Sequence, residues 1–352
     1  MPVPMSDAMP PNAPVDDPDT DDAVPADASP SAGRARWSRR RRVLVGLAVT
    51  LVVLLLAGVV YQRVGTARDR DRWQPDELAE GGLHLRCDGP QDQPLTVVLE
   101  AASGGSALDW ALVQGELAGT LRVCSYDRAG RGWSEGRTAD ATLASTADDL
   151  HRALVATGET GPYVLVGHSF GGVYAREFQR GFADEVAGLM LVDSAHPGEE
   201  ALLGKLHVSD GGLRWARMVA PVGLMRLYLA TGGSLGYDAL PDDARSELNA
   251  LWSSSRHLRS IADEVAAAPA LRAEAAALGS VGDLPTVVVS ADEELFDGWA
   301  TLQADLARIG ESVTTLTVPG STHQSLLYEP AHAAVVAEQV RTLAAEVTPT
   351  AP

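Results

Sequence analysis

Basic residues are scarce: 28 Lys and Arg stand against 47 Asp and Glu, a net charge of -19 at pH 7. Binding to a phosphate backbone needs a basic face, so this balance excludes nucleic acid as an expected partner. Cysteine is scarcer still, with two in 352 residues. That is too few for a disulfide framework or a cysteine-rich metal site. Residues 1–33 contain no Lys or Arg, carry Asp7, Asp16, Asp17, Asp19, Asp21, Asp22 and Asp27, and are rich in Pro and Ala. With so little to bury, they read as a disordered acidic tail. Another stretch lacks charge altogether. From Val43 to Val60 nothing polar but Thr50 interrupts a Val- and Leu-rich run.

Those 18 residues rise ~1.5 Å each, enough to cross a bilayer core with help from their flanks. Trp37 and Tyr61 stand near the two ends, as interfacial aromatics do. Residues 34–42 are a basic juxtamembrane segment with Arg34, Arg36, Arg39, Arg40, Arg41 and Arg42, whereas the far flank is of mixed sign. The asymmetry favours a retained signal anchor with a cytoplasmic N-terminus and the remaining chain outside the cytoplasm. Residues 61–80 then read as a polar stalk.

From residue 81 to 346 short apolar runs alternate with amphipathic helices, the pattern of an α/β domain with a mostly parallel central sheet flanked by helices. Residues 195–282 break the alternation with helical segments only. Such an insertion between two strands forms a lid, and its Trp215, Met218, Met225, Leu227, Tyr228 and Trp252 are expected either to line an acyl pocket or to form the lid's own core. The last residues, 347–352, form a tail.

The chemistry centres on Gly167-His168-Ser169-Phe170-Gly171-Gly172, which follows an apolar strand and opens a helix. A G-x-S-x-G turn between strand and helix holds its serine on a strained elbow at the end of a sheet. A serine hydroxyl needs a base, itself oriented by a carboxylate. Among eight histidines, His323 follows the strand Val313 to Val318 and a turn, a position from which an imidazole can reach the elbow. Asp292, Glu293 and Glu294 follow another strand and Asp193 ends a third, so the acid stays open among them. Two backbone N–H groups must hold an oxyanion. Phe170, after the serine, and Ala102, in the small-residue loop Glu100 to Gly105, are the candidates. The loop Asp127-Arg128 with Gly130 and Gly132 is expected to brace the site. Cys87 and Cys124 both lie in strand-like segments, where a disulfide or two buried thiols remain open.

Four segments in order, VVLEAASGGSALDW, YDRAGRGWS, GHSFGG and GSTHQSLLYEP, resemble the α/β-hydrolase fold family, and specifically its single-domain bacterial esterase-like members. The resemblance spans nearly all of residues 81 to 345. It implies the chain order nucleophile, acid, histidine, and counting from Pro285 it implies Glu294 as the acid, with Asp292 and Asp193 as rivals. It also sets the Cys87 strand beside the Cys124 strand, which implies a disulfide. The implied activity is a serine hydrolase acting on a small-molecule carboxylic ester through an acyl-enzyme on Ser169, with no metal and no cofactor. An aminopeptidase or amidase would instead need acidic lid residues, for which Asp238, Asp242, Asp243, Glu247, Asp263 and Glu264 are candidates. A non-catalytic binding protein of the same fold is the remaining alternative.

Overall fold

The computed structural model describes residues 38–136, 141–199 and 211–348. The acidic tail, Trp37 and the first two arginines of the basic segment lie outside the described residues, as do part of the lid and most of the C-terminal tail. The chain divides into two units, one ending at Thr50 and the other beginning at Leu51. The second holds a seven-stranded sheet: β1 (His84–Asp88), β2 (Thr96–Glu100), β3 (Arg122–Asp127), β4 (Tyr163–His168), β5 (Val186–Val192), β6 (Thr286–Ala291) and β7 (Val313–Val318), in the order β1-β3-β2-β4-β5-β6-β7. β1 runs antiparallel to β3 and every other pairing is parallel.

The helices are α1 (Arg39–Trp73), α2 (Ala111–Leu117), α3 (Leu143–Ala156), α4 (Gly171–Gly181), α5 (Gly211–Val219), α6 (Leu224–Ala230), α7 (Asp242–Ser253), α8 (Ser255–Ala275), α9 (Trp299–Leu306), α10 (Ser325–Tyr328) and α11 (Pro330–Val347). Strand side chains alternate between the two faces of the sheet. Val97, Leu99, Val164, Val166, Val287 and Val289 pack with Trp110, Leu117, Val336 and Val340 from the α2 and α11 side. Val98, Leu165 and Val288 pack with Leu150, Leu154, Phe178 and Leu306 from α3, α4 and α9. Because both faces are covered, the central strands read as continuous apolar runs. Parallel strands with their crossovers on the faces bring the loops after β2, β4, β5, β6 and β7 to one edge.

Cys87 and Cys124 are opposite one another in the β1–β3 register and are joined by a disulfide. Their sulfurs are therefore bonded to each other rather than available to a metal. The bridge closes a sequence separation of 37, and removing such a link costs about 2–4 kcal/mol through the freedom regained by the unfolded chain. Cys87→Ser/Cys124→Ser is expected to show that loss in chemical denaturation; an unchanged midpoint would exclude a stabilising bridge.

Residues 61–73, the first part of the expected stalk, are helical. They continue α1, because Gly58, Gln62, Gly65 and Asp69 share one helix face that packs on the insertion. A Cβ on Gly58 would collide with the Val222 carbonyl, and one on Gly65 with the Arg226 guanidinium. Buried Gln62 donates to the Ser253 carbonyl at 2.8 Å, and Arg226 pairs with Asp69 at 2.6 Å. The helical stretch over residues 212–229 of the insertion is divided into α5 and α6. Pro221 interrupts it and Gly223 takes a left-handed φ of 74°.

Candidate active site

The turn after β4 sets the geometry. Ser169 has a φ of 55°, a strained conformation for a residue with a side chain. It persists because its neighbours cross too closely for side chains. A Cβ on Gly167 would strike the backbone of Gly172, and one on Gly171 would strike the carbonyls of Glu100 and Ala101. Hydrogen bonds then hold the elbow against the end of β5. Ser169 N–H donates to the Val192 carbonyl at 3.1 Å, and Ala195 N–H donates to the Ser169 carbonyl at 2.9 Å. Ser169 itself is half-buried.

His323, in the loop after β7, donates through Nδ1 to Oδ2 of Asp193 at 2.6 Å. Asp193 is wholly buried just past β5, at a φ of 41°. Its Oδ1 accepts from the Trp299 indole at 3.0 Å and from Ala291 N–H at 3.1 Å. Burial pushes the Asp193 carboxyl up, but the hydrogen bond and charge of His323, together with those two N–H donors, hold it below the ordinary carboxylate value. An ionised Asp193 fixes the proton on Nδ1 of His323 and leaves Nε2 as the acceptor.

This partner differs from the residue first named. Glu294 is exposed and accepts from Gly298 N–H at 2.9 Å, capping the turn before α9. Asp292 accepts from Gly320 N–H at 2.8 Å. Both sit past the end of β6, on a loop that turns outward. β5 lies between β4 and β6, so the residue following Val192 emerges beside the elbow. Short acidic residues in a strand-end loop satisfy local turn donors equally well, which is why spacing did not separate the candidates.

Two supporting residues were not singled out from the sequence. Trp299 orients Asp193 and packs edge-on to the His323 ring, 6.0 Å between centroids. His168 is buried, and its Nε2–H donates to the His323 carbonyl at 2.9 Å. Burial, then the charge of His323, lowers the His168 pKa to about 3, so it is a neutral support for the loop. Its place beside the serine in GHSFGG was the available signal.

The loop after β2 lies against the start of α4, held by Arg128, which donates to the Ala101 and Ala102 carbonyls at 2.7 Å each. Arg128 also pairs with Glu100 and, at 3.2 Å, with Glu264 of α8. Glu264 accepts from Gly104 N–H at 2.6 Å and pairs with Arg131 at 2.7 Å. Burial raises the Glu264 carboxyl, but Arg128, Arg131 and the Gly104 N–H outweigh it and hold it below its ordinary value. Asp127 braces the same region, accepting from His84 at 2.8 Å and from Ala107 and Trp133 N–H at 2.9 and 3.0 Å. Among the described residues, neither Ala102 N–H nor Phe170 N–H has an acceptor.

A cavity of about 160 Å³ opens beside Ser169, bounded by Phe170, Leu271, Leu295, Phe296 and Trp299, with Glu199, Glu264 and Arg272 at its polar side. A larger hollow of about 440 Å³ between α3 and α8 does not include Ser169, His323 or Asp193. None of the lid aromatics and methionines expected at the pocket reaches the smaller cavity. Met225 is in the lid's own core and Trp252 packs on it, whereas Trp215, Met218, Leu227 and Tyr228 point outward.

His257 of α8 lies buried near Arg131. Burial, then the charge of Arg131, lowers its pKa to about 4 from 6.5. Between those values the unfolded chain binds a proton that the fold excludes. The stability this group contributes is therefore present above pH 6.5 and declines as pH falls. Relative to His257→Gln, the wild-type protein is expected to lose about 1.4 kcal/mol per pH unit below that point, read from denaturation midpoints across pH. A gap between the two proteins that does not change with pH would exclude a buried neutral His257.

The sequence model described as "Alpha/beta hydrolase family" matches residues 97–339. An uncharacterized protein of Schizosaccharomyces pombe is 29% identical over 213 residues, which cover 59% of this chain and 38% of that protein. A proline iminopeptidase, PfmaB, of Pestalotiopsis fici is 31% identical over 135 residues, covering 37% and 47% of the two chains. This chain thus spans less than half the length of either relative. A thermophilic esterase from Thermogutta terrifontis has a TM-score of 0.53 at 23% identity, covering 76% of this chain and 94% of that one. At that identity the likeness is one of fold.

Proposed function

The chain belongs to the alpha/beta hydrolase family, and on that premise we propose that it is a membrane-anchored serine hydrolase that cleaves a small-molecule carboxylic ester. The observation that carries this reading is the hydrogen bond from His323 to buried Asp193, at the same sheet edge as the strained Ser169. Ser169 Oγ attacks the acyl carbonyl while its proton passes to Nε2 of His323. The oxyanion is held by the N–H groups of Ala102 and Phe170. His323 then returns the proton to the leaving alkoxide, and an acyl group remains on Ser169. Water, deprotonated by His323, attacks that ester, and the second tetrahedral intermediate collapses to the acid as His323 returns the proton to Ser169 Oγ. Every group in this cycle belongs to a side chain, the backbone, the substrate or water. The cavity of about 160 Å³ suits a short or compact acyl group.

The relative named as a proline iminopeptidase favours a second reading, an aminopeptidase. A substrate ammonium needs an available carboxylate, and the lid's buried ones are engaged. Glu247 pairs with Arg86 at 2.9 Å and accepts from Trp133, Glu199 pairs with Arg272 at 2.9 Å, and Glu264 has its two arginines. These pairings favour the ester.

α1 is long and apolar enough to cross a membrane, with a mean hydropathy of 3.0 over an unburied window. Anchoring through residues 43–60, with the N-terminus inside and the hydrolase part outside, is the corresponding proposal for its location. The chemistry is tested with a fluorophosphonate probe and with p-nitrophenyl acetate against an aminoacyl anilide. Labelling and preferential ester cleavage are expected. A protein that takes no label is not a serine hydrolase, and preferential anilide cleavage selects the peptidase.

A further inference from the structure

The lid has an outward apolar face that neither its own core nor the cavity uses. On α5, Trp215 and Met218 are 49% and 70% exposed, and they lie three residues apart on one face. On α6, Leu224, Leu227 and Tyr228 are 47%, 49% and 43% exposed, at the same helical spacing. Large apolar side chains grouped this way mark a surface that meets something apolar. The opposite faces of these two helices are fully used: Ala216, Val219, Met225 and Leu229 pack with Leu258 and Ile261 of α8.

The contacts of α1 say where this face sits. Val222 and Gly223, which join α5 to α6, lie against Gly58, in the last turn of the uncharged run that ends at Val60, and against Tyr61 just beyond it. At ~1.5 Å per residue, Gly58 is about 3 Å below the end of that run. Arg226, in the first turn of α6, reaches Gln62 at 3.3 Å and Asp69 at 2.6 Å, beyond the run. The start of α6 is thus level with the point where an apolar span would leave the hydrocarbon, and the polar contacts lie above it. Beside Met218, Arg214, Arg217 and Arg259 surround one concavity, on a chain whose net charge is -19.

We propose that the lid rests on the membrane, its α5–α6 face inserted at the interface of an anionic phospholipid bilayer, with Arg217 and Arg259 against the headgroups. The proposal rests on the anchor reading above and adds that the lid, as well as the span, touches lipid. Interfacial helices bind in this way, apolar side chains sinking to the acyl boundary and basic ones holding anionic lipid. The same contact places the entrance of the Ser169 cavity on a domain held against the bilayer, where acyl substrates concentrate.

The test uses the full chain reconstituted in nanodiscs, with an environment-sensitive fluorophore placed singly at Met218→Cys, Leu227→Cys, Val53→Cys and Glu338→Cys, and lipids brominated high on their acyl chains as quenchers. Val53 lies within the span and Glu338 is exposed on α11. Quenching at 53, 218 and 227 but not at 338 is the expected result. Quenching at 53 with 218 and 227 behaving like 338 overturns lid docking while the anchor stands. No quenching at 53 overturns the anchor itself and the docking with it. Shielding at 218 that follows protein concentration rather than lipid assigns the face to a second copy, which also overturns the proposal. Phosphatidylglycerol is expected to strengthen quenching at 218 over phosphatidylcholine alone. Arg217→Gln and Arg259→Gln should each weaken that docking roughly fivefold; equal quenching in both lipids would remove the headgroup contact.

Discussion

Ser169→Ala abolishes covalent labelling by a fluorophosphonate and lowers kcat for ester cleavage by roughly 10⁵-fold or more, on the scale seen when a serine nucleophile is removed. The loss is chemical, not structural. Alanine keeps the Cβ that the elbow already accommodates, and at a φ of 55° both residues bear a similar cost of about 1–2 kcal/mol. The backbone bonds that hold the elbow, Ser169 N–H to Val192 and Ala195 N–H to the Ser169 carbonyl, are unaffected. Circular dichroism and the denaturation midpoint should therefore match the wild-type protein. Activity above the uncatalysed rate should persist, because Ala102 and Phe170 still offer their N–H groups to the oxyanion. A variant that retains label, or loses less than about tenfold in kcat, would place the nucleophile elsewhere.

Asp193→Asn is expected to lower kcat by about 10⁴-fold with little change in KM. An asparagine keeps the size of the side chain and accepts the left-handed conformation readily, so the φ of 41° at this position is preserved. The amide, however, can present its NH₂ to His323 Nδ1. That stabilises the tautomer with its proton on Nε2, the nitrogen that must take the proton from Ser169. Through the same change the imidazolium formed during attack loses its counter-charge. Glu294→Gln and Asp292→Asn should stay within a few-fold of wild type, since their carboxylates serve Gly298 and Gly320 rather than the histidine. A near-normal Asp193→Asn beside a crippled Glu294→Gln would reverse the assignment. The acid limb of the rate profile offers a second reading. The Asp193 carboxyl is held below its ordinary value by the hydrogen bond and charge of His323 and by two N–H donors, so its own protonation should depress the rate only below the ordinary carboxylate range.

How much of the site could be read from the chain depends on how local each residue's role is. The elbow was legible because its constraints are local: Gly167 and Gly171 are needed by close approaches within a few residues or to one neighbouring loop. His323 was legible from a strand, a turn and a helix around it. The carboxylate was not. Four acids stood at two strand ends, and the spacing that pointed to Glu294 counted along the chain, whereas the choice is made across the sheet. Asp193 meets His323 at a sequence distance of 130 because β5 is sandwiched between β4 and β6. Trp299 escaped notice for the same reason, supporting the pair from a segment with no chemical signature of its own, whereas His168 stands beside the serine and only its bond to the His323 carbonyl, 155 residues away, is non-local.

The lid and the anchor divide similarly. Residues 195–282 announced helices, and the helices are there. Which of their apolar residues face inward was decided by packing: Met225 into the lid core, Trp215 and Met218 outward. The reading of residues 61–80 as a stalk followed from polarity. A helix face made of Gly58, Gln62, Gly65 and Asp69 looks solvated until Arg226 and Ser253 are brought against it.

By itself, then, the sequence determined the alternating α/β pattern, the serine elbow, the histidine loop, the two cysteine-bearing strands and an apolar run long enough for a bilayer, since each is written in short-range periodicity or turn chemistry. Only the tertiary structure decided which carboxylate holds His323, which buried charges close the lid on the loop after β2, and which face of the lid is left to meet a surface. Those are contacts between segments far apart in the chain, and they are selected by strand order and burial, which no local pattern records.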